Sequence, residues 1–233
     1  MGDLLKMFDG IVCICMDSEE DKWQSQCEPQ FQKLGCLDRV IRYKSLKIEN
    51  GSDIRKKYKG TTFAHYNAIK LCQEKNFKNP LILESDFWFN SMNYENEIER
   101  LVDDSNFIDK SFTDAKTKSW KMFSLGGLVR KLISIESDYL FRAWREHSHA
   151  YCINGDYYDD LLLTISKKLN KPIDWIYTKK KFGGDLRYYS YMTSKILVVQ
   201  KWGKLEKRRR RHARKMWRRR TRNFKPNKPE ETN

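Results

Sequence analysis

A short apolar run that ends in two acids is the feature that most constrains how this chain folds. Residues 80–86 read Pro-Leu-Ile-Leu-Glu-Ser-Asp, so Glu84 and Asp86 follow the run one residue apart. An apolar run of this length, bounded by a turn residue, is typical of a buried strand in a parallel sheet. Ligands of open α/β sheets bind beyond the carboxyl ends of the strands, so both acids are predicted to face a binding crevice.

The spacing of the two acids indicates a metal site. Side chains two residues apart in an extended segment point the same way, so Glu84 and Asp86 can serve one divalent cation. Phosphate oxygens and water commonly complete the shell of such a cation. The pattern therefore favours an enzyme that acts on a nucleotide or another phosphate compound. The alternative is that the two acids only form a turn or cap a helix.

The order of the predicted elements indicates the fold class. Strands are predicted over residues 9–17, 40–43, 81–83, 121–125, 149–153 and 196–200. Helices are predicted over residues 18–34 (kinked or interrupted at Pro29), 61–71, 94–102 and 157–169. Because strand and helix alternate through the first 90 residues, we predict an α/β fold with a mainly parallel sheet flanked by helices.

The positive charge of the chain is concentrated near its C-terminus. The formal net charge is +15, and residues 201–225 contain 14 Lys or Arg against one acid, Glu206. We therefore predict a nearly neutral folded domain over residues 1–203, followed by a basic tail over 204–233. Basic runs attract the phosphates of nucleic acid or of an anionic membrane surface, and residues 204–225 are expected to bind one of these. The alternative is a solvated tail.

Other classes of protein are disfavoured by features that the sequence lacks. No apolar stretch approaches the ~20 residues of a membrane span, and the N-terminus does not read as a secretory signal. The six cysteines form no Cys-x-x-Cys pair, so no zinc site is predicted and a reducing compartment is the simpler interpretation. We expect a cytoplasmic protein that is peripheral to a membrane if the tail binds one.

Five blocks of the sequence resemble glycosyltransferase family 25, the group of lipopolysaccharide-type and collagen-modifying sugar transferases. In chain order the blocks are residues 11–23, 60–69, 81–86, 149–153 with 161–162, and 172–175 with 197–200. The third block resembles the strand of this family that ends Glu-Asp-Asp, with Ser85 in place of the middle acid. Strand alternation turns that position away from its neighbours, so Glu84 and Asp86 are expected to keep their geometry.

The resemblance implies a GT-A-type fold and an inverting, metal-dependent transfer of a sugar from a nucleotide-sugar, usually a UDP-sugar, to a hydroxyl. The acceptor hydroxyl would belong to a glycan, a lipid-linked glycan or a protein. The cation is expected to be Mn²⁺ or Mg²⁺, with Asp86 as a direct ligand and Glu84 as a second ligand or ribose partner. The competing hypothesis is a nucleic-acid- or anionic-surface-binding protein that acts through its tail and has an inactive transferase-like body.

Three further residues receive expected roles from the resemblance. Asp17, at the end of the first strand, and His65, on the second helix, are expected to contact the nucleotide-sugar. Asp174 is expected to be the base that takes the proton of the acceptor hydroxyl. The alternatives are that His65 is a packed residue and that Asp174 caps the turn that follows it.

Overall fold

A computed structural model describes residues 2–45, 54–146, 148–178 and 189–201. The basic tail predicted over 204–233, with its binding segment 204–225, lies outside the described residues. Among the helices in the described part of the chain, none is both long enough and apolar enough to cross a membrane.

The described residues form one large sheet and a two-stranded ribbon. The strands are β1 Gly10–Met16, β2 Val40–Ser45, β3 Pro80–Glu84, β4 Phe87–Phe89, β5 Met122–Ser124, β6 Leu128–Ile135, β7 Leu140–Glu146, β8 Ala150–Ile153, β9 Ser190–Thr193 and β10 Val198–Gln200. The large sheet has the order β2-β1-β3-β8-β5-β9-β7-β6, and β4 pairs with β10. Within the large sheet β7 and β8 run opposite to the other six strands. The predicted α/β fold with a mainly parallel sheet is therefore confirmed.

Helices cover both faces of the large sheet. They are α1 Glu20–Lys22, α2 Glu28–Lys33, α3 Ile54–Glu74, α4 Glu97–Lys116, α5 Tyr158–Ser166 and α6 Ile173–Thr178. One apolar cluster joins the sheet to α2 and α4, and a second joins it to α3, α5 and α6. The sheet is thus the middle layer of three, as in Rossmann-like folds.

The side chains of β1 and β3 alternate between these two clusters. Ile11, Cys13 and Cys15 of β1 belong to the cluster on the α2–α4 side, whereas Val12 and Ile14 belong to the cluster on the α3 side. Leu81 and Leu83 of β3 face the α2–α4 side, and Ile82 faces the α3 side. This alternation decides which way the residues after β3 point, because side chains reverse at every step of an extended chain.

The helical segment after β1 is interrupted before Pro29, as predicted. A π-helical turn, Trp23–Cys27, separates α1 from α2, and the amide of Glu28 donates to the carbonyl of Trp23. Pro29 then lies in the first turn of α2, the helical position where proline is best tolerated. Gly35, with φ 67°, follows the last turn in the left-handed conformation that ends many helices.

Several elements differ from the sequence prediction. α3 begins at Ile54 rather than near Thr61, and α4 begins at Glu97 and continues to Lys116, well beyond the predicted end at Val102. The strands β4, β6, β7 and β9 were not predicted. β6 and β7 form an antiparallel hairpin whose register shifts between Val129 and Lys131 and again between Leu132 and Ser134. Such bulges interrupt the period-two pattern by which a strand is found in a sequence.

Candidate functional site

The acid pair lies where three parallel strands end. β3 pairs with β1 in parallel, with Ile14 opposite Glu84, and β1 pairs in parallel with β2. The amide of Ser85 donates to the carbonyl of Ile14 at 2.8 Å, and the amide of Glu84 donates to the carbonyl of His149 at 3.0 Å. Glu84 therefore ends an inner strand, and Asp86 follows it in the turn before β4.

Ser85 points to the opposite side of the sheet from Glu84. Its hydroxyl donates to Oε2 of Glu19 at 2.8 Å and accepts from Nζ of Lys22, also at 2.8 Å. Lys22 also forms an ion pair with Oε1 of Glu19 at 3.1 Å. The predicted direction of Ser85 is confirmed, because Glu19 and Lys22 belong to the α1 side of the sheet whereas the contacts of Glu84 come from the α3 side.

The carboxylate of Glu84 is held mainly through one of its two oxygens. Oε1 lies 3.1 Å from Nε2 of His65 and accepts from the hydroxyl of Ser148 at 3.1 Å. Oε2 has a longer contact, 3.4 Å, with the side-chain nitrogen Nε2 of Gln200. Burial acts to raise the pKa of Glu84, but the hydrogen bond from His65, with help from His149 and Ser148, outweighs it and lowers the pKa to about 2. Glu84 is thus an ionised carboxylate.

The pKa of Asp86 is shifted in the opposite direction from that of Glu84. Burial and the neighbouring charge of Glu84 raise the pKa of Asp86 to about 7, while the charge of Lys22 acts against them. Its Oδ1 is buried and has no hydrogen-bond partner among the residues that the structure describes. A buried carboxylate oxygen without a partner is unfavourable unless it binds a ligand. A cation beside both carboxylates would offset the repulsion between them, which is one of the two causes of the raised pKa.

The residues present fit a divalent cation that shares its shell with a phosphate ligand. Among the described residues, no three His, Cys, Asp or Glu side chains are grouped to hold a metal. Asp86 Oδ1, which is unpartnered, and Glu84 Oε2, which has one long contact, are the two oxygens that fit. Mg²⁺-type sites use one or two carboxylates and obtain the other ligands from phosphate and water, so two protein oxygens suffice.

Asp17 lies just beyond the carboxyl end of β1. Its amide donates to the carbonyl of Ser45 at 3.1 Å, and its carboxylate is 3.7 Å from Nζ of Lys44. The side chain of Asp17 is 64% exposed. It therefore lies at the same edge of the sheet as Glu84, but its carboxylate faces solvent and Lys44.

His65 lies behind Glu84. It is 1% exposed and reaches Glu84 from α3, while its other ring nitrogen, Nδ1, lies 2.8 Å from the hydroxyl of Tyr151. It therefore acts on the site through Glu84. His65 is therefore a packed residue that also contacts a candidate site residue, Glu84.

Asp174 lies in the first turn of α6, which packs against β7. Its charge acts on Arg145 of β7, a guanidinium that is only 4% exposed. Burial lowers the pKa of Arg145 to about 10, and the negative charge of Asp174 opposes this shift. The structure thus places Asp174 beside a buried cation, and its role as the base stays a prediction.

Gly126 allows β10 to approach the site. A Cβ atom at Gly126 would lie 1.9 Å from the carbonyl oxygen of Val198, so only glycine fits there. The carbonyl of Leu125 accepts from the amides of Leu197 and Val198, at 3.0 and 3.1 Å. This close approach fixes the start of β10, whose last residue, Gln200, contacts Glu84.

Sequence patterns did not identify Ser148, Gln200, Glu19 or Lys22 as site residues. Ser148 directly precedes the block 149–153, and Gln200 is the last residue of the block 197–200, but neither was given a role. Their contacts with Glu84 join residues 64 and 116 positions apart, and no local pattern reports such pairs.

Comparisons with known proteins give the following similarities. No protein-family model and no curated protein matches the sequence. One solved structure is a glycosyltransferase involved in glycosylation of the major capsid of PBCV-1, with 14% identity, a TM-score of 0.49, and coverage of 88% of this chain and 98% of the other. Another, assigned as a glucose-1-phosphate thymidylyltransferase of Bacillus anthracis and solved with sucrose, has 12% identity, a TM-score of 0.42, and coverage of 97% and 82%. Similarity at this level does not assign a function.

Proposed function

We propose that this protein is a metal-dependent glycosyltransferase that moves a sugar, with inversion, from a nucleotide-sugar to an acceptor hydroxyl. The donor proposed is a UDP-sugar, and the acceptor is a glycan, a lipid-linked glycan or a protein. The membership of family 25 belongs to this proposal, since it rests on the five motif blocks of the sequence. The cation proposed is Mn²⁺ or Mg²⁺.

The observation that carries the proposal is the unpartnered, buried Oδ1 of Asp86 beside the ionised Glu84. Both groups lie at the carboxyl end of an inner strand, where open α/β sheets bind their ligands. Burial is the largest cause of the raised pKa of Asp86, and the repulsion between the two adjacent carboxylates is the second. A divalent cation offsets this repulsion, and a diphosphate adds the remaining oxygen ligands.

The chemistry of sugar transfer explains why such a site is useful. Negative charge develops on the departing diphosphate as the bond to the sugar breaks, and a bound divalent cation stabilises that charge as a Lewis acid. In this chain Asp86 and Glu84 would hold the cation. His65 and Ser148 hold Glu84 in turn, through its Oε1.

Inversion also needs a base to accept the proton of the acceptor hydroxyl as it attacks the sugar. Asp174 is the residue that we propose for this role, on the basis of the motif block 172–175. Its neighbour Arg145 is a buried cation.

The proposal is tested with a panel of UDP-sugars in the presence of Mn²⁺. Purified protein is incubated with each donor, first without an acceptor, and the release of UDP is measured. Slow hydrolysis of at least one donor is expected, because transferases of this kind transfer the sugar to water when no acceptor is bound. Asp86→Asn is expected to abolish this hydrolysis.

A matched control separates the loss of a ligand from a general change of charge. Asp103 is exposed on α4, so Asp103→Asn removes one carboxylate away from the site and should leave the hydrolysis unchanged. Hydrolysis that survives in Asp86→Asn would contradict the proposed role of Asp86. The absence of hydrolysis with every donor would contradict the proposed function.

A further inference from the structure

A line of buried polar groups runs from Glu84 into the apolar cluster on the α3 side of the sheet. Oε1 of Glu84 lies 3.1 Å from Nε2 of His65, Nδ1 of His65 lies 2.8 Å from the hydroxyl of Tyr151, and the hydroxyl of Tyr177 donates to that of Tyr151 at 3.1 Å. His65, Tyr151 and Tyr177 are at most 4% exposed. They belong to α3, β8 and α6, so three separate elements meet to form the line.

The direction of hydrogen-bond donation along this line follows from its two ends. The ionised Glu84 can only accept. At the other end Tyr177 donates to the oxygen of Tyr151, which leaves the proton of Tyr151 for Nδ1 of His65. Nδ1 is then the acceptor, and the proton of a neutral imidazole lies on Nε2, facing Glu84. Every donor in the line has one acceptor, as a buried polar network requires.

The same contacts determine which oxygen of Glu84 is available to a ligand. Oε1 receives two donors, Nε2 of His65 and the hydroxyl of Ser148. Within the described part of the chain, the only contact of Oε2 is the one of 3.4 Å with Nε2 of Gln200. The carboxylate is therefore fixed through Oε1, and Oε2 is the oxygen that can bind a cation.

We propose that His65 is a positioning residue for Glu84. Tyr177 and Tyr151 keep His65 as its Nε2–H tautomer, and His65 with Ser148 holds Oε1 so that Oε2 faces the bound cation. This inference rests on the proposed function only in taking Glu84 as a cation ligand. Loss of an outer partner of a metal ligand lowers metal affinity by about 10–100-fold, and a loss of this size is expected when the line is broken.

The tautomer is tested first, by ¹⁵N NMR of the imidazole nitrogens at a pH well above the ordinary histidine pKa of about 6.5. The chain has four histidines, and the signals of His65 are those missing from His65→Gln. We expect a protonated Nε2 and an unprotonated Nδ1 in the wild-type protein, and a changed signature in Tyr151→Phe. A neutral imidazole whose proton lies on Nδ1 would overturn the proposal.

Tyr158→Phe is the matched control for Tyr151→Phe. The hydroxyl of Tyr158 is also a buried donor, at 2.9 Å from the carbonyl of Phe77, but Tyr158 does not belong to the line. Its removal should leave the signals of His65 unchanged. A change of equal size in both variants would show that the signature responds to general loosening of the core, which contradicts the proposal.

The second measurement is a titration with Mn²⁺ in the presence of UDP. Tyr151→Phe and His65→Leu should bind Mn²⁺ about 10–100-fold more weakly than the wild-type protein, and Tyr158→Phe should bind it equally well. His65→Gln places an amide donor near Oε1, so it should bind more tightly than His65→Leu. If His65→Leu fails to fold, the affinity of Tyr151→Phe for Mn²⁺ decides the test, because this substitution removes only one oxygen atom.

The outcomes separate this inference from the proposed function. Equal Mn²⁺ affinity in the wild-type protein and Tyr151→Phe would overturn the positioning role of His65. Failure of the wild-type protein to bind Mn²⁺ would overturn the proposed function and the presentation of Oε2 to a cation. The NMR signature would then still decide whether Tyr177 and Tyr151 set the tautomer of His65.

Discussion

Glu84 and Asp86 lie two residues apart at the end of one strand, yet the pKa values of their carboxyl groups shift in opposite directions. The partners of Glu84 lower its pKa to about 2, although burial opposes them. Burial and the charge of Glu84 raise the pKa of Asp86 to about 7. The pair therefore combines a carboxylate fixed by donors with one whose burial and like-charged neighbour are only partly offset by Lys22 and Gln200. This difference leads to measurable consequences.

The first prediction concerns the stability of Asp86→Asn at two pH values. The pKa of Asp86 in the folded protein lies above its ordinary value of 3.8, so ionised Asp86 lowers the free energy of unfolding. This loss develops as the pH rises from about 4 to about 7 and is complete above that range. One pKa unit corresponds to about 1.4 kcal/mol, so Asp86→Asn should raise the free energy of unfolding by a few kcal/mol near pH 8. Near pH 4 it should change little.

Denaturant unfolding of the cation-free protein at the two pH values measures this difference. Asp103→Asn, which removes an exposed carboxylate, should show no comparable dependence on pH. An effect of Asp86→Asn that is the same at both pH values would mean that Asp86 does not titrate between them.

The second prediction is that Mn²⁺ and UDP bind cooperatively. Among the described residues the site offers two carboxylates, so the diphosphate is expected to supply further ligands to the cation. Each ligand should therefore raise the affinity of the protein for the other by the same factor, within the usual range of about 5–150-fold. Calorimetric titration of Mn²⁺ with and without UDP measures this factor, and uridine, which lacks phosphate, should show none.

The affinity for Mn²⁺ should also rise with pH and level off above about 7, because Asp86 must lose its proton to act as a ligand. In Asp86→Asn that rise should disappear. An affinity that does not depend on UDP or on pH would place the cation elsewhere on the protein.

The third prediction concerns Gly126. A Cβ atom at this position would collide with the backbone carbonyl of Val198, which cannot move without shifting β10. Gly126→Ala should therefore lower the free energy of unfolding by about 1–3 kcal/mol, as overpacking does. Gly2, with no atom within 4 Å of its added Cβ, is the matched control, and Gly2→Ala should stay within about 0.5 kcal/mol of the wild-type value. Equal stabilities of the two variants would show that β10 shifts freely.

The fourth prediction separates Asp174 from the cation site. Loss of a general base typically lowers the rate by about 10²–10⁴-fold, so Asp174→Asn should reduce kcat for transfer by such a factor. Its affinity for Mn²⁺ and UDP should remain that of the wild-type protein. Asp160→Asn, at an exposed position in the first turn of α5, is the control and should retain full activity.

Asp174 also lies beside the buried Arg145, so the unfolding of Asp174→Asn must be measured alongside its kcat. A folded Asp174→Asn with wild-type kcat would exclude it as the base and leave it as a partner of Arg145.

The local sequence pattern was sufficient to predict the part of the fold that carries the acid pair. The apolar runs at β1 and β3 and the acids after them are consecutive residues, and period-two alternation predicted the opposite direction of Ser85. The local sequence pattern was not sufficient to predict the contacts of Glu84. Ser148 and Gln200 reach it from distant segments, and the hairpin of β6 and β7 was missed because two bulges interrupt its alternation.

The most direct measurement is an anomalous difference map from crystals of the protein grown with Mn²⁺ and UDP. A peak is predicted about 2.0–2.6 Å from Oδ1 of Asp86 and from Oε2 of Glu84, with diphosphate oxygens on its other side. Oε1 of Glu84 should remain in contact with His65 and Ser148. A bound nucleotide with its Mn²⁺ away from both carboxylates, or no peak at this edge of the sheet, would contradict the account.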